Sequence, residues 1–253
     1  MNIKIAIATH KPYWMPDDPM YVPVHVGAEG KTPIGYLGDN TGDNISIKNS
    51  MYRELTGMYW GGANLEFDYF GLAHYRRHFC YKKKRTPKDS ILTKQEAEKL
   101  LQTADILVPR RRKYYIESLE SHFNNMRLST DTDLTVLTSA VTQITPQYGS
   151  AMDRVLSRSW GHMFNMFIMK REVYEPYHRW FFSVLAEVEK KIDMSSSIHP
   201  NRSSIIGYLA EFLLDIYLEA NNLTYKEINT VFLERQNEMK KIYKFFIRKF
   251  RRN

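Results

Sequence analysis

The segment that decides the fold joins a strand-like run to a dense group of cations: Phe67-Asp68-Tyr69-Phe70-Gly71-Leu72-Ala73-His74-Tyr75-Arg76-Arg77-His78. Its apolar first part predicts a central β-strand over residues 67–75. Because side chains alternate along a strand, we expect His74, Arg76 and His78 to share one face. Arginines at the end of a buried strand are costly unless they meet an anion, so the run predicts an anion site at the end of this strand.

Strand-like and helix-like segments alternate around that run. Short apolar runs predict further strands, and amphipathic or capped segments predict helices; the strands are 3–8, 105–109, 164–169 and 223–232, and the helices are 45–64, 93–103, 171–191 and 203–220. Residues 10–42, rich in Pro, Gly, Asp and Tyr, predict a long ordered loop. This alternation predicts a single α/β domain over residues 1–235, with a mixed, mainly parallel sheet flanked by helices.

Positive charge is concentrated near the C-terminal end of the sequence. The formal net charge is +8, and residues 240–253 contribute seven of these charges and contain no acidic residue. The preceding residues are therefore close to neutral, which argues against a nucleic-acid-binding domain. Aromatic residues stand between the cations at helical spacing, so residues 236–253 predict a basic amphipathic helix on an anionic inner-membrane surface. A terminal helix packed against the domain is the alternative.

Cysteine usage and apolar runs indicate the compartment. Cys80 is the single cysteine, so neither a disulfide within the chain nor a cysteine-based metal site is predicted, as is typical of a reducing compartment. Residues 1–9 do not resemble a signal peptide, and no apolar run approaches the roughly 18–20 residues that span a bilayer. We therefore expect a cytoplasmic protein, peripheral at the inner face of the plasma membrane.

Several common catalytic motifs are missing from the sequence. It contains no phosphate loop of the Gly-x-x-x-x-Gly-Lys type, no Gly-x-Gly-x-x-Gly turn after the first strand, no Gly-x-Ser-x-Gly elbow and no His-Glu-x-x-His pattern. Sequence patterns of P-loop, dinucleotide, serine-hydrolase and zinc-protease sites therefore do not apply. Polar residues at the ends of predicted strands are left as the candidates.

Ligands of open α/β sheets bind beyond the carboxyl ends of the strands, and three such ends carry polar clusters. The candidate residues at these ends are Thr9, His10, Lys11, His74, Tyr75, Arg76, Arg77 and Asn165. A guanidinium group forks onto two phosphate oxygens, so the two arginines suit a diphosphate. Structural ion pairs with nearby carboxylates are the alternative role for them.

Two further groups of polar residues lie on predicted helices or at their starts. The group at the first helix is Asp39, Asn40, Asp43, Asn44 and Lys48. It offers hydrogen bonds to a ribose or a base, whereas a turn with a helix cap is the alternative. Glu211, on a later helix, is the first candidate for a general base, and Asp153 is the second. A solvated helix face is the alternative for such carboxylates.

Taken together, several segments resemble a bacterial family encoded in capsule and O-antigen gene clusters. They are Thr9-His10-Lys11, Val26-Gly27-Ala28, Asp39-Asn40-Thr41-Gly42-Asp43-Asn44-Ile45-Ser46, Glu54-Leu55-Thr56, Tyr59-Trp60, Gly71-Leu72-Ala73-His74-Tyr75-Arg76-Arg77, Asn165-Met166-Phe167-Ile168-Met169 and Gly207-Tyr208-Leu209-Ala210-Glu211. The resemblance extends over residues 3–218. This family, formerly a domain of unknown function, is similar to GT-A glycosyltransferases and includes galactofuranosyltransferases that use a UDP-linked donor.

The resemblance implies a GT-A-like domain with a nucleotide-binding half on the first strand and an acceptor half later in the chain. GT-A enzymes usually hold a divalent metal through an Asp-x-Asp signature, which the strand over residues 67–75 lacks. Asp131-Thr132-Asp133 fits the signature, but it lies at a predicted helix start, where capping explains it. We therefore predict no metal, with Arg76 or Arg77 and His74 neutralising the diphosphate. Dependence on Mn or Mg is the alternative.

The predicted function is transfer of a sugar, galactofuranose being the best candidate, from a UDP-sugar to a hydroxyl of a lipid-linked oligosaccharide. Capsule, O-antigen or exopolysaccharide synthesis would be its context. One alternative is a non-catalytic carbohydrate-binding or scaffold protein of a polysaccharide assembly complex, which would not bind UDP. Another alternative is a nucleotide-sugar hydrolase or phosphotransferase, which would consume the donor without an acceptor.

Overall fold

Strand β4, Tyr69–His74, lies at the centre of the sheet in a computed structural model that describes residues 1–234. The predicted basic tail over residues 236–253 lies outside the described residues. The strands are β1 Ile3–Thr9, β2 Tyr21–His25, β3 Leu37–Gly38, β4 Tyr69–His74, β5 Arg77–Cys80, β6 Ile106–Pro109, β7 Arg112–Lys113, β8 Trp160–Gly161, β9 Phe167–Lys170 and β10 Lys226–Phe232. The α-helices are α1 Asn49–Tyr52, α2 Leu55–Asn64, α3 Lys94–Leu101, α4 Leu119–Asn124, α5 Asp133–Ile144, α6 Gly149–Ser157, α7 Arg171–Lys191 and α8 Ile205–Ala220. Three 3-10 turns are Ser46–Lys48, Pro146–Tyr148 and Arg202–Ser204.

The main sheet closes on itself through β4. Its strand order is β3-β2-β1-β4-β5-β10-β6-β9, and β9 also pairs with β4. Strands β5 and β9 lie end to end along one edge of β4, while β1 occupies the other edge. Five strands therefore form a closed ring, and β1, β2 and β3 extend from it as an open parallel wing.

The sheet is mixed, as predicted, but it is not mainly parallel. Four of its strand pairings within residues 1–234 are parallel and four are antiparallel. The antiparallel half arises because β4 turns directly into β5 and because β9 and β10 return from distant parts of the chain. Periodicity along the sequence reports that a strand is buried, but not the direction of its neighbour.

Two apolar cores lie on opposite faces of the sheet, as the alternation along β1 requires. Ile3, Ile5 and Ile7 contribute to the core beneath α3, whereas Ala6 and Ala8 contribute to the larger core formed with α2 and α5–α8. The glycine at position 71 allows β4 to be flanked closely on both sides. A Cβ atom there would lie 2.9 Å from the carbonyl oxygen of Phe167 and 3.2 Å from the side chain of Ile5.

Several predicted elements are confirmed with small changes of boundary. Helix α3 begins with the predicted capping box, in which Thr93 and Glu96 satisfy each other's backbone N–H groups. Helix α7 spans residues 171–191 as predicted, and α8 occupies most of the helix predicted over residues 203–220, with Leu209 and Leu213 buried. Long amphipathic helices of this kind are the elements that periodicity identifies best.

Two predictions about residues 10–64 are wrong. The segment predicted as a loop contains β2 and β3, which extend the parallel wing. The helix predicted over residues 45–64 is broken at Arg53, whose φ of 53° is left-handed, and Ile47 near its predicted start is 80% exposed. The break separates α1 from α2, so one continuous helical stripe is not formed.

Candidate active site

The turn after β4 places two predicted residues side by side. Tyr75 and Arg76 reverse the chain, and β5 returns antiparallel with Arg77 opposite His74. The expectation that His78 shares a face with His74 and Arg76 is therefore wrong, because the chain turns between them. Residues directly opposite each other in an antiparallel pair share a face, so His74 and Arg77 line one cavity, whereas His78 is buried against Tyr21.

This cavity has a volume of about 330 Å³ and lies between the β4–β5 hairpin, the segment before and within α4, and α8. Its wall combines four arginines, two glutamates and a group of aromatic and apolar side chains. The lining residues are Arg53, Glu54, His74, Arg76, Arg77, Arg112, Tyr114, Leu119, His122, Phe123, Met126, Met163, Phe164, Gly207, Tyr208, Glu211 and Phe212. The wall thus offers cations for an anion, carboxylates for proton transfer and rings for a sugar face.

Arg77 is the most firmly held of these cations. Its guanidinium carbon lies 3.5 Å from the centre of the Phe164 ring and 4.7 Å from that of Phe232. Its Nε atom is buried and has no hydrogen-bond partner among residues 1–234. Burial lowers the pKa of Arg77 to about 10, against the opposing attraction of the Glu211 and Glu54 carboxylates. The side chain therefore remains charged at neutral pH and retains unused hydrogen-bonding capacity.

An unusual turn places Phe164 in the cavity wall and Asn165 against the lining residues Glu54 and Gly207. Both residues have left-handed backbone angles, with φ of 86° at Phe164 and 54° at Asn165. Each such residue costs about 1–3 kcal/mol, and strain of this kind is often retained at functional sites. Here it places the Phe164 ring on Arg77, while the Asn165 amide donates to Glu54 at 2.9 Å and to the carbonyl of Gly207 at 3.3 Å.

Glu211 has the properties of a base that works near neutral pH. Burial raises the pKa of this carboxyl to about 7, with a further increase from the neighbouring Glu54 carboxylate. Arg77, the backbone N–H of Phe164 and Arg112 oppose that increase by stabilising the charged form. A carboxylate with a pKa near the working pH can accept a proton from a hydroxyl and release it again.

His74 is neutral at physiological pH. Burial lowers its pKa to about 3, and the nearby Arg76 and Arg77 add to the effect. Its Nδ1 atom lies 3.3 Å from the backbone nitrogen of Arg76, which donates to it. This contact assigns the proton of the neutral ring to Nε2, so His74 can act as a hydrogen-bond donor there.

An ionic network lies behind the cavity wall, with His162 and Asp215 buried at its centre. The His162 ring lies between Asp215, at 2.5 Å from Nδ1, and Glu227, at 3.1 Å from Nε2. Arg158 approaches Asp215 to 2.6 Å, and Arg111 approaches Glu227 to 2.5 Å. The network joins α8 and β10 to the segments that carry the cavity residues Met163 and Arg112.

Comparison with known proteins places this arrangement in a family. The family described as "Domain of unknown function (DUF4422)" matches residues 4–222, which is most of the chain. The chain belongs to the DUF4422 family. None of the curated proteins compared with the chain matches it.

Among solved structures, the chain is similar to one described as "WbbM bifunctional glycosytransferase apo structure". The TM-score is 0.86 at 29% sequence identity, and the similarity covers 93% of this chain. It covers 46% of the WbbM chain, so this DUF4422 chain spans less than half the length of that relative. The shared fold therefore corresponds to one part of a larger glycosyltransferase.

The DUF4422 fold brings the predicted ends of β1 and β4 together. Their parallel register places Ala8 beside His74, so Thr9, His10 and Lys11 adjoin the β4–β5 turn. His10 packs edge-on against the Tyr75 ring at 5.3 Å, and Lys11 lies 5.3 Å from the same ring. The Thr9 hydroxyl donates to the carbonyl of Lys11 at 2.7 Å, which shapes this end of β1.

The predicted nucleoside residues lie beyond β3, at the same edge of the parallel wing. Asp39 is fully buried, and its carboxylate accepts the backbone N–H groups of Gly27 at 2.8 Å and Ala28 at 3.0 Å, and the Ser46 hydroxyl. Its oxygens are thus engaged within the protein, and its observed role is to shape the loop.

The neighbouring residues Asn40, Asp43 and Asn44 are closer to the protein surface than Asp39. Asn40 and Asp43 are exposed, and the Asp43 carboxylate accepts from the Tyr59 hydroxyl at 3.2 Å. Asn44 bridges the carbonyl of Gly42 and the N–H of Ser46.

Two predicted residues lie away from the cavity. Lys48 forms an ion pair with Glu189 of α7 at 2.8 Å, so it does not reach the cavity. Asp153 lies on α6 and lines a separate groove with α5. The two candidate bases therefore do not share a site, and Glu211 is the one that faces the arginines.

The Asp-x-Asp sequence in this chain does not fit a metal site. Both oxygens of the buried Asp133 are engaged by the Arg202 guanidinium, and the backbone and hydroxyl of Thr130 also donate to them. Across residues 1–234, no three His, Cys, Asp or Glu side chains are grouped so that they could hold a metal ion. No helix in the same range has the length and apolar character needed to cross a membrane.

Sequence reasoning missed several cavity residues. Glu54 lies in one of the quoted family segments, but its importance depends on its approach to Glu211 and Asn165, which are far away in sequence. Arg112 belongs to the basic run Arg110-Arg111-Arg112-Lys113, which was a usable signal. Phe164 was hidden in a predicted strand because its left-handed backbone has no signature in a phenylalanine.

Proposed function

We propose that this chain is a glycosyltransferase that moves a sugar from a UDP-sugar to a hydroxyl of a lipid-linked oligosaccharide in polysaccharide synthesis. Galactofuranose is the sugar that we favour, because of the resemblance described from the sequence. The shared fold with part of a bifunctional glycosyltransferase supports the reaction class.

The observation that carries the proposal is the position of Glu211 beside Arg77 in one cavity. A base with a pKa of about 7 can take the proton of an acceptor hydroxyl, and a guanidinium packed against two rings can stabilise the charge of a leaving diphosphate. The neighbouring aromatic side chains suit the apolar face of a sugar ring.

Glu211 and the cations of the cavity have separate roles in the proposed reaction. Glu211 takes the proton from the acceptor hydroxyl while that oxygen attacks the anomeric carbon of the donor. The bond from the anomeric carbon to the diphosphate breaks, and the leaving UDP carries the released electron pair. Arg77 and Arg76 stabilise the negative charge on the diphosphate, with the His74 Nε2–H as an additional donor.

Calorimetric titration of UDP and UDP-galactofuranose, with and without EDTA, tests the binding half of the proposal. We expect UDP binding that survives EDTA and weakens about tenfold or more in Arg77→Ala, since a charge-assisted hydrogen bond to phosphate contributes about 1.5–3 kcal/mol. Arg76→Ala should lose less, because Arg76 is exposed and ion-paired with Glu234 at 3.4 Å. Arg154→Ala, a solvent-exposed arginine on α6, is the matched control.

Three outcomes would contradict parts of this proposal. Loss of UDP binding in EDTA would show that a metal ion, and not Arg77 and Arg76, holds the diphosphate. Donor consumption at full rate without an acceptor would identify a nucleotide-sugar hydrolase. Glycan binding without UDP binding under any condition would favour the carbohydrate-binding scaffold.

A further inference from the structure

A second feature at the cavity entrance is the 110–116 segment, which reads Arg110-Arg111-Arg112-Lys113-Tyr114-Tyr115-Ile116. All of its side chains except that of Tyr114 are exposed. Tyr115 is 83% exposed and Ile116 is 62% exposed, although both are large and partly or wholly apolar. A folded protein rarely presents two such neighbours to water beside four consecutive cations unless the surface meets a partner.

The backbone holds these two side chains outward. The N–H of Ile116 donates to the carbonyl of Tyr114 at 2.7 Å, which makes a three-residue turn centred on Tyr115. The φ of Tyr115 in this turn is 58°, in the left-handed region that a tyrosine seldom adopts. The fold therefore maintains a strained backbone at the position where the aromatic side chain is most exposed.

Both flanks of the turn are anchored to the domain. Tyr114 is buried with its ring centre 4.1 Å from that of His122, and its N–H donates to the carbonyl of Ser159 at 2.7 Å. Arg111 pairs with Glu227 at 2.5 Å and lies 4.2 Å from the Trp160 ring centre. The exposed pair is thus presented on a fixed support and not on a free loop.

The cations of the segment divide into two kinds. Arg111 is engaged with Glu227, and Arg112 lines the cavity above Tyr114. Arg110 and Lys113 are exposed, and neither has a carboxylate within 4.0 Å among residues 1–234. Two cations are therefore available to an external anionic partner without any change in the cavity.

The geometry points to an anionic lipid surface as that partner. We propose that Tyr115 and Ile116 insert among lipid headgroups while Arg110 and Lys113 contact lipid phosphates. Aromatic and aliphatic tips beside cations are the combination that binds at a membrane interface. Two exposed side chains are too few for a specific protein interface, which needs some 20–30 residues on each partner. The adjacent cavity would then open at the membrane, where a lipid-linked acceptor lies; only this last step depends on the proposed function.

Site-specific fluorescence tests the contact in the full chain, so that the basic tail is present throughout. An environment-sensitive nitrobenzoxadiazole label is attached at Tyr115→Cys, while the native Cys80 is buried and the unsubstituted chain measures background labelling. Glu172→Cys is the matched control. Glu172 is exposed and lies two residues after Lys170, which pairs with Tyr69 at the start of β4, whereas the cavity lies at the other end of that strand. Vesicles of phosphatidylcholine, with or without phosphatidylglycerol, are added, and a spin-labelled lipid serves as quencher.

We expect a several-fold increase in emission, a blue shift and quenching for the label at 115 on vesicles that contain phosphatidylglycerol, with little change for the label at 172. The response should weaken several-fold when Arg110→Gln and Lys113→Gln are combined with the label. Sedimentation of the chain with vesicles without a response at 115 would overturn the proposal, as would an equal response on vesicles of phosphatidylcholine alone. A response to single-stranded RNA but not to vesicles would assign the segment to nucleic acid and overturn it as well.

A turnover assay separates this proposal from the proposed function. Tyr115→Ser combined with Ile116→Ser should slow transfer to a lipid-linked acceptor in vesicles several-fold and leave transfer to a lipid-free acceptor unchanged. Absence of turnover with every acceptor would contradict the proposed function, while the fluorescence result would stand. Equal rates of the variant and the unsubstituted chain on both acceptors would contradict the role of the segment in presenting the acceptor.

Discussion

Glu211 shows how a single side chain depends on residues that are distant in sequence. Its pKa of about 7 results from burial and from the carboxylate of Glu54, which lies just before α2, whereas Arg77 of β5 opposes the increase. The Arg77 guanidinium thus lowers the pKa of Glu211 enough for this carboxyl to ionise near neutral pH.

The pH dependence of turnover follows from this arrangement. The reactive form of Glu211 is the carboxylate, so kcat/KM should rise tenfold per pH unit below about pH 7 and level off above it. Glu54→Gln removes the neighbouring negative charge but retains an oxygen for the Asn165 amide, so the inflection should move to lower pH.

The control for that profile is Glu211→Gln, which should lower kcat by a factor of about 10²–10⁴ and leave the affinity for UDP unchanged. Asp153→Asn, in the separate groove, should behave like the unsubstituted chain. A profile that does not move in Glu54→Gln would show that the inflection belongs to another group.

At this scale the sequence predicted the residue types better than their contacts. Arg77 and Glu211 are candidates because one follows a buried strand and the other lies on an amphipathic helix, and the structure places both in one cavity. Asp39 is a candidate because it belongs to a polar group before a predicted helix, yet its carboxylate accepts the N–H groups of Gly27 and Ala28 in its own loop. Sequence does not reveal which buried carboxylate is already satisfied, because that depends on backbone groups brought near by folding.

At the scale of elements, the pair Asp133–Arg202 joins two segments that are distant in sequence. Arg202 is fully buried, and besides Asp133 it donates to the carbonyls of Leu128 and Asp193 at 2.6 and 2.7 Å. It thereby fixes the start of α5 to the turn before α8. Asp131-Thr132-Asp133, which resembles a metal signature, is therefore part of the framework.

Removal of one member of this pair should be severe. Arg202→Met leaves the Asp133 charge buried without its partner, so we expect a loss of about 3–5 kcal/mol in the free energy of unfolding. Joint replacement by Arg202→Met and Asp133→Leu should cost less than Arg202→Met alone. Urea denaturation measures each value.

The exposed pair Arg154–Glu219 is the matched control for that experiment. Arg154→Gln should change the free energy of unfolding by no more than about 1 kcal/mol. A similar small effect for Arg202→Met would show that the buried pair does not stabilise the fold.

Strand packing leads to a second prediction about elements. Gly71→Ala places a Cβ atom 2.9 Å from a backbone oxygen of β9, so β4 and β9 must separate; we expect destabilisation by about 1–3 kcal/mol. Gly149→Ala is the matched control, since its nearest neighbour would lie at 3.6 Å and alanine favours a helix. Thermal denaturation compares the two, and an equal melting temperature for both variants would contradict the close approach.

The elements also show where periodicity fails. The strand β2, Tyr-Val-Pro-Val-His, contains Pro23 inside a segment rich in turn formers, and β3 has two residues. Neither provides enough alternation to distinguish a strand from a loop. Strand β2 forms because β1 offers a free parallel edge, and β3 forms on the next edge, which β2 offers; both edges are properties of the sheet and not of the sequence of either strand.

At the scale of the whole molecule, the closed ring should make the described part of the chain unfold as one unit. We expect amide hydrogens of β4 and β9 to exchange only through global unfolding, because both strands are buried within the ring. Those of β3, at the outer edge of the wing, should exchange fastest among the strands. Hydrogen exchange with mass spectrometry measures the difference, and two separate unfolding events within residues 1–234 would contradict a single domain.

The ring also explains why alternation of strands and helices predicted the class of the fold but not its topology. Its closure depends on β10 lying between β5 and β6 and on β9 reaching back to β4. These pairings join residues that are far apart in sequence, and no local pattern encodes them. The sequence therefore supported a mixed α/β sheet and left its closure undetermined.

The place of β10 in the ring has a consequence for biosynthesis. Strands β5 and β6 are made early, but the strand that joins them ends at Phe232. While the ribosome is still translating the intervening helices, both strands present unpaired backbone edges. Unpaired strand edges recruit strands of other chains. We therefore expect the nascent chain to need protection during this interval, either by a chaperone or by early docking of α7 and α8.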